Sequence, residues 1–206
     1  MMAGFEFKIF LYLIVIFSAV FHEYFHGWMA NFLGDPTAKN AGRLTLNPLK
    51  HLDIFWTVLI PLFLLFFWGG FIGMAKPVPY NPYNLRDQKY GSAKVGVAGP
   101  VANFLIAIIL GLFLRFLNLP GILYIALTWV VYINIFLGLF NLIPIPPLDG
   151  SKLLMDFFPR AKIVLFLERS FVGIFLAIFI AFIFLPTVAD FFYHAITGSQ
   201  FMGLGF

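Results

Sequence analysis

Residues 17–27 read Phe-Ser-Ala-Val-Phe-His-Glu-Tyr-Phe-His-Gly and place His22, Glu23 and His26 in the pattern His-Glu-x-x-His. The stretch lies inside an apolar run that begins near Ile9, so we expect it to be helical. Four residues turn a helix by about 400° and advance it by about 6 Å, which puts both histidines on one face. Two imidazoles so placed can bind one zinc ion, with Glu23 beside the metal to accept a proton from water. The alternative is that both histidines only form hydrogen bonds in a packed core.

The composition is that of an integral membrane protein. Of the 206 residues, 62% are hydrophobic and 11% are charged, whereas a soluble domain is about half apolar and about a quarter charged. Ionisable side chains at membrane depth are costly and usually functional, which favours a functional role for the motif. The absence of cysteine excludes disulfides and cysteine-based metal or redox sites. The net charge of +4 does not indicate a nucleic-acid partner, because membrane proteins gather Lys and Arg in their cytoplasmic loops.

The chain contains five long apolar stretches, at about 9–33, 54–73, 95–117, 122–143 and 163–185. Four of them have the length of a membrane-spanning helix. The second contains a proline and ends in glycines, both of which interrupt helices. We therefore predict four full spans, with a re-entrant or additional membrane segment at about 54–73. The first stretch is interpreted as a retained helix, because cleavage after it would fall close to the metal motif.

The positions of the basic residues favour the re-entrant form of residues 54–73. If that segment enters and leaves the membrane on one side, all Lys and Arg except Lys8 and Arg115 lie in cytoplasmic loops. This distribution follows the positive-inside rule. It predicts that both termini lie outside and that the motif lies near the cytoplasmic end of the first span.

A second polar segment follows the fourth stretch, where residues 141–150 read Asn-Leu-Ile-Pro-Ile-Pro-Pro-Leu-Asp-Gly. Catalytic zinc takes three protein ligands, and two histidines with one carboxylate are a common set. Asp149 is the only acidic residue between Asp87 and Asp156, which makes it the candidate third ligand. The alternative is an interfacial turn residue. The prolines leave backbone groups unpaired, which is tolerated only against protein or a water-filled cavity, so the Asn141 amide can hold a substrate backbone there.

Four further polar residues have two interpretations each. His51 and Asp53 can be accessory metal ligands, or an interfacial histidine followed by a helix cap. Asn103 can contact substrate or form a hydrogen bond between helices. Asp35 precedes a proline and is predicted to form a turn; the alternative, a position at the edge of the site, rests on the family resemblance given next.

Together these motifs resemble those of the site-2 proteases, a family of zinc intramembrane metalloproteases. The resemblance covers most of residues 18–155. The matching segments are His22-Glu23-x-x-His26, Ala98-Gly99-Pro100 with Asn103, and Asn141-x-x-Pro144 followed by Leu148-Asp149-Gly150. Residues 42–48 and 75–79 further resemble the short prokaryotic members that lack PDZ and CBS domains.

The resemblance implies one zinc ion per chain bound by His22, His26 and Asp149, with Glu23 as general base and Asn141 in contact with substrate. It also implies a three-helix core formed by residues 9–33, 95–117 and 122–143, with one further C-terminal span.

The expected protein is thus an all-α polytopic membrane protease with a single domain, residues 1–206. We expect it to hydrolyse peptide bonds within or near transmembrane segments of membrane proteins, in regulated intramembrane proteolysis or signal-peptide clearance. Its expected partners are the lipid bilayer and a membrane-spanning protein or peptide, and the sequence does not indicate the oligomeric state. The expected location is a prokaryotic plasma membrane, with the active site toward the cytoplasm.

Two other functions are compatible with a zinc motif in a membrane helix. A zinc transporter would place polar ligands along several spans, and residues 95–117 and 163–185 offer almost none. A zinc-binding membrane protein without protease activity would not need Glu23, which is present.

Overall fold

Helices form nearly all of the regular structure in the computed structural model, which describes residues 4–61, 63, 76–158, 166–167, 170 and 172–201. Within these residues the α-helices are α1 (Phe5–Phe32), α2 (Thr37–Asn40), α3 (Gly91–Phe116), α4 (Gly121–Leu142), α5 (Gly150–Phe157) and α6 (Val172–Thr197). The four long ones, α1, α3, α4 and α6, are long and apolar enough to cross a membrane. The described residues contain no strand. The prediction of an all-α polytopic membrane protein is confirmed, with four candidate spans among the residues that the structure describes.

The chain divides into two compact units, residues 1–91 and 92–206, which are described separately. The prediction of a single domain over residues 1–206 stays a prediction. Of the segment at 54–73, only 54–61 and 63 are described, and they begin with a π-helix, Ile54–Leu59. The re-entrant path predicted for this segment lies mostly outside the described residues.

In the first unit, α1 has a buried side and an exposed aromatic side. Its buried residues include both motif histidines as well as Gly27 and Ala30. The exposed aromatic residues lie elsewhere on the helix, where they suit contact with lipid; they are Phe17, Phe21, Trp28 and Phe32. The hydroxyl of Tyr12 donates to the carbonyl of Thr57, which ties the π-helix to α1. The motif therefore lies on the side of α1 that faces the rest of its own unit.

In the second unit, α6 contributes to two separate core clusters. Its buried residues recur at every fourth position, and they are Gly173, Ala177, Ala181, Leu185, Ala189, Tyr193 and Thr197. The first half of this row packs with Ile143, Ile145 and Leu148, which follow α4. The second half packs with Ala107 and Leu114 of α3 and with Val131 and Ile135 of α4. Rows of residues four apart are inclined to the helix axis, so the two halves of α6 meet different neighbours.

Two helix ends differ from the sequence-based boundaries. The last span was predicted at 163–185, before Pro186, but α6 continues through this proline to Thr197. Proline is tolerated inside membrane helices because neighbouring groups satisfy the freed backbone. The third stretch was predicted to begin near residue 95, whereas α3 begins at Gly91 and contains Pro100. The first turn of α3 is stabilised by a residue far away in the sequence, since the Ala93 N–H donates to Asp156 Oδ2 over 2.6 Å.

Candidate metal centre

The two motif histidines meet on the buried side of α1. The Nε2 atoms of His22 and His26 lie 3.0 Å apart, and their rings pack edge to face with centroids 4.5 Å apart. Both side chains are 6% exposed. With Glu23 they form a group, found among the described residues, whose ligand atoms all lie within 4.8 Å of one another. The prediction that the motif places both imidazoles on one face is confirmed.

The spacing of the two imidazole nitrogens suits zinc. Zinc–nitrogen bonds of about 2.0–2.1 Å at a tetrahedral angle place two nitrogens about 3.3 Å apart, close to the 3.0 Å between His22 and His26. Nitrogen and carboxylate oxygen are both ligand types that zinc accepts. The residues present therefore fit a zinc ion held by the histidine pair, with Glu23 next to it.

Residues 76–81 form no helix or strand and lie against α1 at the motif, and we refer to this segment as the strap. Val78 of the strap is buried, and its Cγ1 would lie only 2.9 Å from a Cβ built at Gly27. A side chain at residue 27 would thus hold the strap away from the helix. The glycine that follows His26 is explained by this close approach.

The strap contacts the motif through Glu23. The backbone N–H of Val78 donates to Glu23 Oε2 over 2.7 Å. Val78 stands between Pro77 and Pro79, neither of which has an N–H to offer. Periodicity and motif spacing do not indicate the contact between Val78 and Glu23, because the bond joins residues 55 positions apart. The only available signal is that Val78 carries the one backbone donor between two prolines.

Asp35 lies just after the end of α1 and is fully buried. Its carboxylate accepts hydrogen bonds from residues on both sides of the π-helix in the sequence. Its Oδ2 accepts the backbone N–H of Asn81 over 2.6 Å, and its Oδ1 accepts the Asn84 amide over 2.9 Å. Oδ1 also accepts the hydroxyl and the N–H of Thr37. Burial alone would raise the pKa of Asp35, but these hydrogen bonds outweigh it and the pKa lies below its ordinary value. Asp35 forms the predicted turn and also anchors one end of the strap.

His51 and Asp53 have local structural roles. His51 is fully buried, its ring Nε2 lies 2.8 Å from the Thr45 carbonyl oxygen, and its own carbonyl accepts the Lys76 N–H. Asp53 caps the π-helix, with Oδ1 accepting the Phe55 N–H over 3.0 Å. The cap predicted for Asp53 is present. Neither residue belongs to the metal-binding group found among the described residues, so an accessory ligand role stays a prediction.

Asp149 lies in the second unit, directly before α5. A Cβ at Gly150 would lie 2.3 Å from the Leu142 carbonyl oxygen, so only glycine lets the chain turn this closely onto the end of α4. The carboxylate of Asp149 forms an ion pair with Lys152, whose Nζ lies 2.8 Å from Oδ1. The sequence did not indicate Lys152. Asp149 as the third zinc ligand stays a prediction, supported by its carboxylate chemistry and by the family resemblance.

The two predicted substrate-binding amides also lie in the second unit. Asn141, near the end of α4, donates from Nδ2 to the Leu137 carbonyl on its own helix over 3.0 Å. Asn103 is fully buried in α3 and donates from Nδ2 to Asn134 Oδ1 of α4 over 2.9 Å. The bond between helices that was one interpretation of Asn103 is therefore present. A substrate contact for Asn141 or Asn103 stays a prediction.

Comparison with known proteins identifies the family. The model of peptidase family M50 matches residues 10–123 and 120–186. The chain is 36% identical over 184 residues to YwhC of Bacillus subtilis, named as a candidate zinc metalloprotease, across 83% of this chain and 80% of YwhC. It is 30% identical over 138 residues to Rip2 of Mycolicibacterium smegmatis, similarly named, across 66% of this chain and 52% of Rip2.

A more distant relative carries the same activity in its name. The chain is 29% identical over 146 residues to zinc metalloprotease MJ0392 of Methanocaldococcus jannaschii, across 70% of this chain and 33% of that protein. No solved structure matches the chain significantly. The family match agrees with the metal-binding group on α1 and with the four apolar helices. The chain belongs to peptidase family M50, the site-2 protease family, and is a zinc metalloprotease of the membrane.

Proposed function

We propose that this protein is an intramembrane endopeptidase that hydrolyses peptide bonds within or near membrane-spanning helices of other proteins. The observation that carries the proposal is the location of the metal-binding group. His22, Glu23 and His26 lie well inside α1, a helix of 28 residues that is apolar enough to span a bilayer. A protease with its metal ligands at that place in the chain can act on substrates that are themselves in the membrane.

The proposed zinc ligands are His22, His26 and Asp149. The two imidazole nitrogens converge at 3.0 Å, and a carboxylate completes a common catalytic set with a fourth position left for water. Zinc bound by this set lowers the pKa of water and polarises a carbonyl group. Asp149 is proposed because it is a carboxylate in the segment that resembles the family motif.

Glu23 is the proposed general base. Its carboxylate adjoins the two imidazoles, where it can accept a proton from the attacking water and return it to the amine of the leaving peptide. One carboxylate oxygen, Oε2, is held by the Val78 N–H. The other oxygen can face the water, so a single side chain can be both oriented and reactive.

The substrate must lose part of its helical structure before cleavage, because amide carbonyls inside a helix are hydrogen-bonded. We propose that Asn141, and less directly Asn103, contribute to holding the unwound backbone. We also propose that the site faces the cytoplasmic side of a prokaryotic plasma membrane, as the distribution of Lys and Arg indicates. Membrane-tethered regulators and residual signal peptides are the substrate classes that fit this reaction.

The test uses full-length protein in detergent micelles with zinc. The probe is a fluorescein-labelled single-span peptide with a central Gly-Pro pair, and the products are identified by mass spectrometry. We expect wild type to cut near the Gly-Pro pair, and Glu23→Gln to retain about one zinc per chain without cutting. Glu6→Gln, at the exposed start of the same helix, is the matched control and should cut normally. Cleavage by Glu23→Gln would refute Glu23 as the base.

Zinc content tests the ligand set separately. Asp149→Ala should lose most of its zinc, as measured by mass spectrometry of the metal, whereas Asp156→Asn, in the helix α5 that follows Asp149, should retain it. Full zinc in Asp149→Ala would remove Asp149 from the ligand set. Zinc bound by wild type without any cleavage of the peptide would favour a zinc-binding protein of another kind.

A further inference from the structure

The carboxylate of Glu23 is fixed from outside its own helix. The donor is the backbone N–H of Val78 in the strap, 2.7 Å from Oε2. A hydrogen bond to a charged group is stronger than one between neutral groups, and it restricts the rotamers of a flexible side chain. The position of Glu23 therefore depends on the position of the strap.

One end of the strap is held at Lys76 through both of its backbone groups. The Lys76 N–H donates to the His51 carbonyl over 2.8 Å. The Lys76 carbonyl accepts from Arg43 Nη2 over 2.7 Å, with a longer contact of 3.5 Å from the same nitrogen to Pro77. Because the backbone is held here, the identity of the exposed Lys76 side chain is not what fixes this end.

The other end of the strap is held by Asp35. Its Oδ2 accepts the Asn81 N–H over 2.6 Å, and its Oδ1 accepts the Asn84 amide over 2.9 Å. Between the two ends, the buried side chain of Val78 rests on Gly27, one residue after His26. The strap is thus fixed at both ends and in the middle, and the middle contact lies beside the proposed zinc ligand.

We propose that the strap is a positioning element for the general base, in which the Val78 N–H orients Glu23 and the Arg43 and Asp35 side chains keep the strap in place. This rests on the proposed function, since it assigns Glu23 the role of base. With Oε2 occupied by the amide, Oε1 is left to accept the proton from water. Arg43 and Asp35 are positioning residues, because they act on Glu23 only through the strap.

The first test removes the donor without removing the residue. Val78→Pro abolishes the N–H in a segment that already holds Pro77 and Pro79, while Val78→Ala makes the side chain smaller but keeps the N–H. With the labelled single-span peptide as substrate, we expect Val78→Pro to lower kcat by about 10- to 100-fold, the value of one charged hydrogen bond. KM should change by less than about two-fold, and zinc per chain should stay constant. Val78→Ala should retain at least about ten times the kcat of Val78→Pro.

Two results would overturn the role of the Val78 amide. Equal losses of kcat in Val78→Pro and Val78→Ala would show that side-chain packing matters and the N–H does not. A higher kcat in Val78→Pro would show that the amide competes with water for Glu23 and restrains the enzyme.

The second test measures the strap without any substrate. The chain has no cysteine, so Pro79→Cys at an exposed position of the strap can carry a single nitroxide spin label. We expect Asp35→Ala and Arg43→Gln each to increase the mobility of this label in full-length protein. Lys39→Gln, an exposed basic residue near Arg43 in the chain, should leave the mobility unchanged, and Arg43→Lys should restore part of the restraint.

The two tests separate the strap from the proposed function. If wild type cuts no peptide, the proposed function fails, and with it the assignment of Glu23 as base. The label still decides whether Asp35 and Arg43 fix the strap. Unchanged mobility in both Asp35→Ala and Arg43→Gln would overturn the anchoring, whatever the protease activity.

Discussion

Gly27→Ala tests whether the close contact between α1 and the strap limits the side chain at residue 27. The new Cβ would lie 2.9 Å from Val78 Cγ1 and 3.2 Å from Ala38 Cβ, whereas ordinary contact begins at 3.4 Å. Overpacking of this kind costs about 1–3 kcal/mol, and replacing a helical glycine by alanine returns about 1 kcal/mol. We therefore expect a net loss of roughly 1 kcal/mol in the free energy of unfolding.

The assay is unfolding by SDS titration in mixed micelles, followed by tryptophan fluorescence. Gly121→Ala is the control, because a Cβ at this helical position has no neighbour within 4 Å and should not destabilise. In the double variant Gly27→Ala/Val78→Ala the contact at 2.9 Å is gone, so the two substitutions should cost less together than the sum of their separate costs, by about 1 kcal/mol. The expectation is refuted if Gly27→Ala is as stable as Gly121→Ala and if Gly27→Ala and Val78→Ala show no coupling. The close contact would then not be the reason for a glycine at residue 27.

Three further substitutions have outcomes that follow from the structure. Gly150→Ala should lower the free energy of unfolding by about 3 kcal/mol or more. Its Cβ would lie 2.3 Å from the Leu142 carbonyl oxygen, and a backbone atom cannot move away as a flexible side chain can. Size-exclusion chromatography would show whether folded protein remains. Asn103→Ala should cost about 1–2 kcal/mol, because it removes the donor to the buried Asn134, and Asn103→Ala/Asn134→Ala should recover part of this loss in the same SDS titration. Asp35 has a lowered pKa in the folded state, so its contribution to stability is complete above its ordinary value of 3.8 and is lost as the pH falls through the lowered value. Asp35→Asn should therefore differ most from wild type near neutral pH and progressively less below about pH 4; an equal difference at every pH would contradict this.

The features predicted correctly from the sequence are those set by local geometry. Helical spacing alone brings His22 and His26 to one face, and the structure places their nitrogens 3.0 Å apart. The lengths of the apolar stretches likewise predicted the four candidate spans. The cap at Asp53 was also predicted, because capping depends on residues two to four positions away.

The features that the sequence did not reveal depend on distant partners. The bond from Val78 to Glu23 joins residues 55 positions apart, and Val78 itself belongs to no helix or strand. Asp35 was predicted to form a turn, which is a local property, while its burial depends on Asn81 and Asn84. The end of the last span was missed for a similar reason. Proline stops an isolated helix, but whether it stops a membrane helix is decided by the neighbours around it.

The every-fourth-residue row of α6 determines which changes in length this helix can accept. Each step of four residues turns the chain about 40° beyond a full turn, so the row winds by about 240° from Gly173 to Thr197. Inserting one residue near the middle would rotate the following part by about 100° and carry Ala189 and Tyr193 out of their cluster. Substitution of an exposed residue such as Phe182, which is 85% exposed, leaves both core clusters of the second unit intact. For α6 the number of residues between its two ends is thus constrained more tightly than the identity of most of its side chains.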